Sequence, residues 1–240
     1  LREAHLAVWA LPFIGHPHAD GALRGVAVSL PPSADAATQH ALMQALGRWE
    51  AAGDPEGRQV YLSRRHLADR LERVLDPVEV LHTLREARWL GPARQWQTAL
   101  PLALDGLPGP LVVPVAGAPG GGTRLVPRHW RKAAKLVRRS VCRVVQPPQG
   151  LSLDPADVQV ELSFDPPGRG APSTKRMPRY QRAGDAHPRV LLHARITLPF
   201  PVRGPLVIGA GRHLGLGLCQ PVPDPAITPG AAPERGWSPA

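Results

Sequence analysis

Two histidines two residues apart, His16 and His18, flank Pro17 and precede Asp20 in a polar connection bounded by glycines, GHPHADG at residues 15–21. Histidine changes charge near neutral pH, so a neighbouring pair can supply both a general base and a general acid. Each well-placed proton transfer is worth about 10²–10⁴-fold in rate. Asp20 is close enough in sequence to orient an imidazole, and Pro17 would fix the geometry between the rings. The other reading is a structural turn in which Asp20 caps backbone amides and His16 merely precedes a proline.

A second chemical stretch lies near the other end. Residues 203–219, RGPLVIGAGRHLGLGLC, hold Gly204, Gly209, Gly211, Gly215 and Gly217 among apolar residues, with Arg212 and His213 at the centre. The pattern predicts strand, glycine turn and strand. Glycine takes positive φ without steric cost, so such a run can lay amide N–H groups along a phosphate chain. It equally suits a glycine-weakened hairpin whose small residues ease packing. It is not a dinucleotide fingerprint, because an apolar strand and then Pro221, Pro223 and Pro225 follow where a helix and an acidic residue belong. A P-loop's closing Gly-Lys-Ser/Thr is missing too.

The chain has 240 residues, enough for one large domain or two small ones. Its 29 Lys and Arg against 19 Asp and Glu leave a formal charge of +10. Arginine dominates the basic set. Guanidinium is planar, always charged and a bidentate partner for phosphate, so nucleic acid is the expected partner, although arginine, proline and alanine together also mark a GC-rich genome. Cys142 and Cys219 stand far apart in no metal-binding array, which argues against a disulfide scaffold or zinc fold and for a reducing cytoplasm. No membrane partner is expected, since no apolar run approaches the roughly 18 residues a span needs. The start at Leu1, close to a strand, suggests a piece of something longer.

The elements that must position these residues follow from periodicity. Residues 5–13 and 24–30 read as strands joined by the histidine connection. A helix is predicted over 34–52, capped by Ser33, with Ala37, Ala41, Leu42, Ala45, Leu46 and Trp49 at helical spacing. Ser33 apart, a second cap at Ser63 introduces a basic helix over 64–75, and Asp76-Pro77 starts another through Arg88. Arg64, Arg65, Arg70, Arg73, Arg85 and Arg88 make this section either a phosphate-contacting surface or solvated helix faces balanced by nearby acids. Residues 95–104 have strand character, with Pro101 inside the run predicting an edge position or an irregular strand. Beyond the Pro/Gly-rich stretch 107–123, Arg128, Arg131 and Lys132 open a strongly basic helix running to 145. Strands are expected at 158–164 and 190–200. Between them, 166–188 reads as a mobile basic loop that could order on RNA, with Tyr180 set to stack on a base.

This order fits an α+β fold of two tandem ferredoxin-like (βαββαβ, RRM-like) units: 1–106, a linker 107–127, a second unit 128–222 with the glycine-rich loop, and a disordered tail 223–240. Four stretches then resemble one family. The GHPHADG connection, RQWQTALPLALD at 94–105, RVLLHARITLPFPVRGP at 189–205 and the closing GAGRHLGLGLCQP, in that order, look like the repeat-processing half of the fused subunit of type I-G (formerly I-U) CRISPR effectors, a member of the RAMP superfamily. Its capping half is absent, and Gly106 follows Leu104-Asp105 where the family often has a basic residue.

The resemblance implies binding of CRISPR repeat RNA, cleavage of the precursor, and retention of the guide RNA beside other effector subunits. It implies cleavage without metal or other cofactor: the 2′-hydroxyl attacks the adjacent phosphate and the 5′-oxygen leaves. His16 and His18 are the expected catalytic pair, with their individual roles open. Gly209, Gly211, Arg212, His213, Gly215, Gly217, Arg128, Arg131 and Lys132 are the expected RNA contacts. His66, His129 and His193 are weaker candidates, His193 reading as a core histidine in a strand. The absence of paired carboxylates argues against a metal-dependent nuclease. Two rivals stand beside this reading: a non-catalytic guide-holding subunit, and a basic RNA-binding module outside CRISPR systems.

Overall fold

The structure, a computed structural model, describes residues 6–31, 34–51, 82–115, 122–182 and 184–223. The expected basic helix over 64–75, His66, the Asp76-Pro77 start, the Ser33 cap and the tail fall outside these residues. The fold is mixed α+β with antiparallel sheets.

Strands β1 (Ala7–Pro12) and β2 (Leu23–Ser29) form a hairpin around the histidine connection, and helix α1 (Ala36–Ala51) follows. A short 3-10 turn, His82–Leu84, and the one-turn helix α2 (Ala87–Leu90) stand where the sequence predicted the end of a longer helix. The main sheet then draws on β3 (Ala93–Thr98), β4 (Leu102–Ala103), β7 (Gln159–Ser163), β8 (Leu191–Val202) and β9 (Cys219–Pro221). Its principal strands lie in the order β7, β8, β3, β9, while β4 pairs with the start of β8.

Of the two readings that Pro101 leaves open for residues 95–104, the irregular one holds: β3 ends at Thr98 and β4 begins at Leu102. β3 itself is not at an edge, being paired with β8 on one side and β9 on the other. Pro101 falls beyond the end of β3, where it removes no ladder donor, and its carbonyl accepts from Gly217 N at 3.0 Å. The stretch 107–127 lies in the chain between strands of the main sheet. It contains a small hairpin of β5 (Val112–Pro114) and β6 (Thr123–Leu125), and the sheet takes strands from both sides of it.

Helix α3 (Pro127–Val144) begins with proline at its first turn, where a missing N–H costs nothing. Ala133, Val137, Ser140 and Val141 recur at helical spacing and are buried, while Arg131, Lys132, Lys135 and Arg139 are exposed on the other side. The buried stripe meets alternate residues of β8, Leu192, Ala194, Ile196, Leu198, Phe200 and Val202, whose period of two puts one face of the strand into the core. Trp96 is fully buried there, its indole N–H bonded to Ala93 O at 3.0 Å. Each such large apolar side chain contributes about 1.5–3 kcal/mol by leaving water. A smaller cluster, Leu11, Ile14, Trp89, Ala99, Leu100, Val207 and Leu218, joins the β1–β2 hairpin to α2 and the glycine segment.

Candidate nucleic-acid interface

The glycine segment is a close-packed plug with a small exposed tip. Val207 and Leu218 form a single antiparallel bridge, and a 3-10 turn over Arg212–Leu214 replaces the predicted longer hairpin. Gly209 and Gly217 have φ of +92° and +74°, and a Cβ on either would run into a backbone carbonyl, that of Ala103 or Ile208 respectively. Glycine is required at both for the chain to close. The amides are largely taken up inside the protein: Ile208 N donates to Gly217 O, Gly209 N to Ser140 Oγ, Ala210 N to Ala103 O, and Leu214 N and Leu216 N to Gly211 O. Buried donors must be satisfied, so these groups hold the segment to the sheet and α3 instead of lying along a ligand. Gly209, Gly211, Gly215 and Gly217 are buried, and the surface falls to half-exposed Arg212 and exposed His213 and Leu214. Arg212 Nη1 reaches Gly209 O at 3.4 Å, and Trp9 Nε1 donates to Arg212 O at 3.3 Å, seating the tip against the middle of β1.

The histidine connection is equally well anchored. Gly15 N donates to Arg169 O at 2.9 Å, Gly21 N to Phe13 O at 2.9 Å, and Arg88 Nη2 to Ile14 O at 3.1 Å. Arg88, for which a phosphate-contacting surface and a solvated helix face were both open, bonds to the turn. His16 Nδ1 accepts from His18 N at 3.2 Å, so the neutral ring carries its proton on Nε2. The His16 and His18 ring centroids lie 5.4 Å apart, and His16 is 5.4 Å from the Phe13 ring. His16 is half-buried and His18 exposed. Asp20 orients neither imidazole: its carboxylate accepts from Ala22 N at 2.9 Å and pairs with Arg24 at 3.0 Å. It plays the capping role that the sequence also allowed.

Not all of the expected RNA contacts come together. Ser140, the point where α3 touches the glycine segment, stands twelve residues beyond Arg128, about 18 Å along the helix at 1.5 Å per residue. Arg128, Arg131 and Lys132 therefore form a separate basic surface. Near the glycine segment α3 offers Arg139 and Arg143, the latter ion-paired with Asp105. The histidine pair is also apart from the tip: the turn follows Pro12, about 10 Å along β1 from Trp9 at 3.3 Å per residue.

His129 and His193 are bonded into the fold. His129 Nδ1 donates to Pro110 O at 2.6 Å while its Nε2 accepts from Arg128 Nε at 3.2 Å, tying the start of α3 to the preceding loop. His193, only 1% exposed, donates from Nε2 to Pro172 O at 2.9 Å and accepts at Nδ1 from the Thr98 hydroxyl at 2.9 Å. Burial pushes its pKa below the ordinary value of 6.5, so it sits neutral. Tyr180 is half-buried, its hydroxyl donating to Ala210 O at 3.2 Å. Ser140, Trp9, Arg169 and Tyr180 were not assigned these contacts from the sequence, because each partner lies far away along the chain.

Among the described residues no group of three or more His, Cys, Asp or Glu could hold a metal ion, and no helix is long and apolar enough to cross a membrane. Compared with protein-family models, with curated proteins and with solved structures, the chain finds no match.

Proposed function

We propose that this chain binds CRISPR repeat RNA and cuts it without metal, by attack of a ribose 2′-hydroxyl on the adjacent phosphate, and then stays on the guide RNA within an effector complex. The observation that carries the catalytic reading is the pair of surface imidazoles 5.4 Å apart on a turn braced from three sides. In the reaction a base removes the 2′-hydroxyl proton, the 2′-oxygen bonds to phosphorus, the bond to the 5′-oxygen breaks and an acid protonates that oxygen. The products are a 2′,3′-cyclic phosphate and a 5′-hydroxyl.

His16 would have to give up its bond from His18 N before its Nδ1 could take a proton, whereas its Nε2–H is set to donate to a phosphate oxygen. We therefore assign proton transfer first to the exposed His18 and phosphate stabilisation to His16. Arg212 and His213 would hold the strand at the glycine tip, with Arg128, Arg131 and Lys132 as a second patch. The glycines build the tip and do not themselves line the RNA.

The strand order supports the finer fold reading. Order β7, β8, β3, β9, with α3 between β3 and β7, matches one ferredoxin-like unit whose second helix is replaced by the glycine segment. The β1–β2 hairpin and α1 would belong to a second such unit.

The test is cleavage of a labelled cognate repeat RNA in EDTA by the parent chain, His16→Ala, His18→Ala and His213→Ala, with binding measured in parallel. We expect a cyclic-phosphate end from the parent and a loss of about 10²–10⁴-fold in His18→Ala with binding kept. Tight binding without cleavage by the parent would refute catalysis and leave the guide-holding subunit.

A further inference from the structure

Residues 174–182, TKRMPRYQR, carry Lys175, Arg176, Arg179 and Arg182 with no acid among them. The sequence alone predicts a mobile loop, yet the described part is tied down at both ends. Ser173 Oγ accepts from Lys175 N at 3.3 Å, Thr174 Oγ1 donates to Phe164 O at 3.1 Å, and Arg189 N donates to Tyr180 O at 2.7 Å. The nearest following acid, Asp185, is occupied by a two-pronged ion pair with Arg189, which holds its carboxyl below the usual range. Lys175, Arg176, Arg179 and Arg182 are all exposed. In the middle, the Tyr180 hydroxyl donates to Ala210 O at 3.2 Å, two residues before Arg212.

We infer that residues 175–182 are a preset basic arm that grips the same single-stranded RNA as the glycine tip, latched to the tip by Tyr180 before RNA arrives. The inference rests on the RNA-binding reading of the tip. Arg179 adjoins Tyr180 and Arg182 is two residues on, so their Cα atoms lie within about 4 and 8 Å of the Tyr180 Cα, and that of Arg212 within about 8 Å of the Ala210 Cα. Arginines gathered from two distant parts of the chain, with the neighbouring carboxylate already neutralised, fit a polyanion whose charges recur along a strand. Because the arm is already ordered, binding would not have to supply the cost of ordering it.

The test uses the full chain and a short fluorescein-labelled oligouridylate, its affinity followed by anisotropy across a salt series. Arg176→Ala/Arg179→Ala/Arg182→Ala is compared with the parent and with Arg131→Ala/Lys132→Ala. Three lost phosphate contacts on a single strand should flatten the slope of log affinity against log salt by about 2, and raise Kd roughly 100-fold at about 0.1 M salt. An unchanged slope in the arm variant, while the parent binds and the helix variant weakens, overturns the arm and leaves the RNA reading standing. A parent chain that does not bind overturns both. The latch is read separately, without RNA: Tyr180→Phe should speed trypsin cleavage after Arg179 and Arg182, and an unchanged cleavage rate overturns the latch.

Discussion

Gly217 and Gly150 offer a matched pair for testing whether the glycine segment is held by close packing. Both have positive φ, +74° and +80°, so an alanine pays the same left-handed backbone penalty of about 1–2 kcal/mol at each. Stiffening the unfolded chain returns about 0.4–1 kcal/mol in both cases. Their surroundings differ: a Cβ on Gly150 meets nothing within 4 Å, while one on Gly217 meets the carbonyl oxygen, carbon and nitrogen of Ile208, all backbone. Those atoms cannot move aside without breaking the bond from Ile208 N to Gly217 O, at 3.0 Å, in a buried segment. Losing it leaves a buried donor unpaired at about 1–3 kcal/mol. Gly150→Ala should therefore cost roughly 0–1.5 kcal/mol and Gly217→Ala roughly 1–4.5 kcal/mol, with the difference between them at least about 1 kcal/mol. Urea denaturation followed by far-UV circular dichroism measures both. Equal losses would refute the close approach of the two backbones and with it the picture of the segment as a plug.

Two further outcomes follow from the same core. Ser140→Ala strands the buried Gly209 amide and should cost about 1–3 kcal/mol, or roughly 2–12 °C in melting temperature for a chain of this size; a shift under 1 °C by calorimetry would mean that water replaces the hydroxyl. His193 is buried neutral with a lowered pKa, so the unfolded chain binds its proton more readily. Its contribution is complete above about pH 6.5 and is lost as pH falls below that value toward the folded pKa. Stability measured by urea between pH 7.5 and 5 should fall more steeply in the parent than in His193→Gln, and parallel slopes would show that burial does not keep the ring neutral.

Period and capping made several elements readable. The alternation from Leu192 to Val202 marked β8, and the spacing of Ala133, Val137 and Val141 behind Pro127 marked α3, because both patterns are set by local geometry and one buried side. Pro101 left an edge position and an irregular strand both open, because a proline says that a donor is missing, not which residue of the run ends the strand. The glycine spacing marked a turn but not which amides would be occupied, since Ser140, Ala103 and Pro101 come from remote parts of the chain. Asp20 had two local roles open to it, and its carboxylate is taken by Ala22 N and Arg24. The loop at 166–188 looked unstructured from composition. Its tethers, Phe164, Pro172 with His193, and Tyr180 with Ala210, are contacts that composition does not encode.

The interior position of β3 has a consequence for how the molecule is made. Gln97 pairs with Arg195 on one side and Gln220 on the other, so about half the chain intervenes between this strand and its second neighbour. During synthesis β3 gains its first neighbour only once β8 has emerged from the ribosome, and its second only after residues beyond 219 have followed. Such long-range closure slows folding and leaves an unpaired strand exposed to neighbouring nascent chains. Fragments ending near residue 106 or beginning near 128 would each carry part of one sheet, so dividing the molecule there would yield two aggregating pieces.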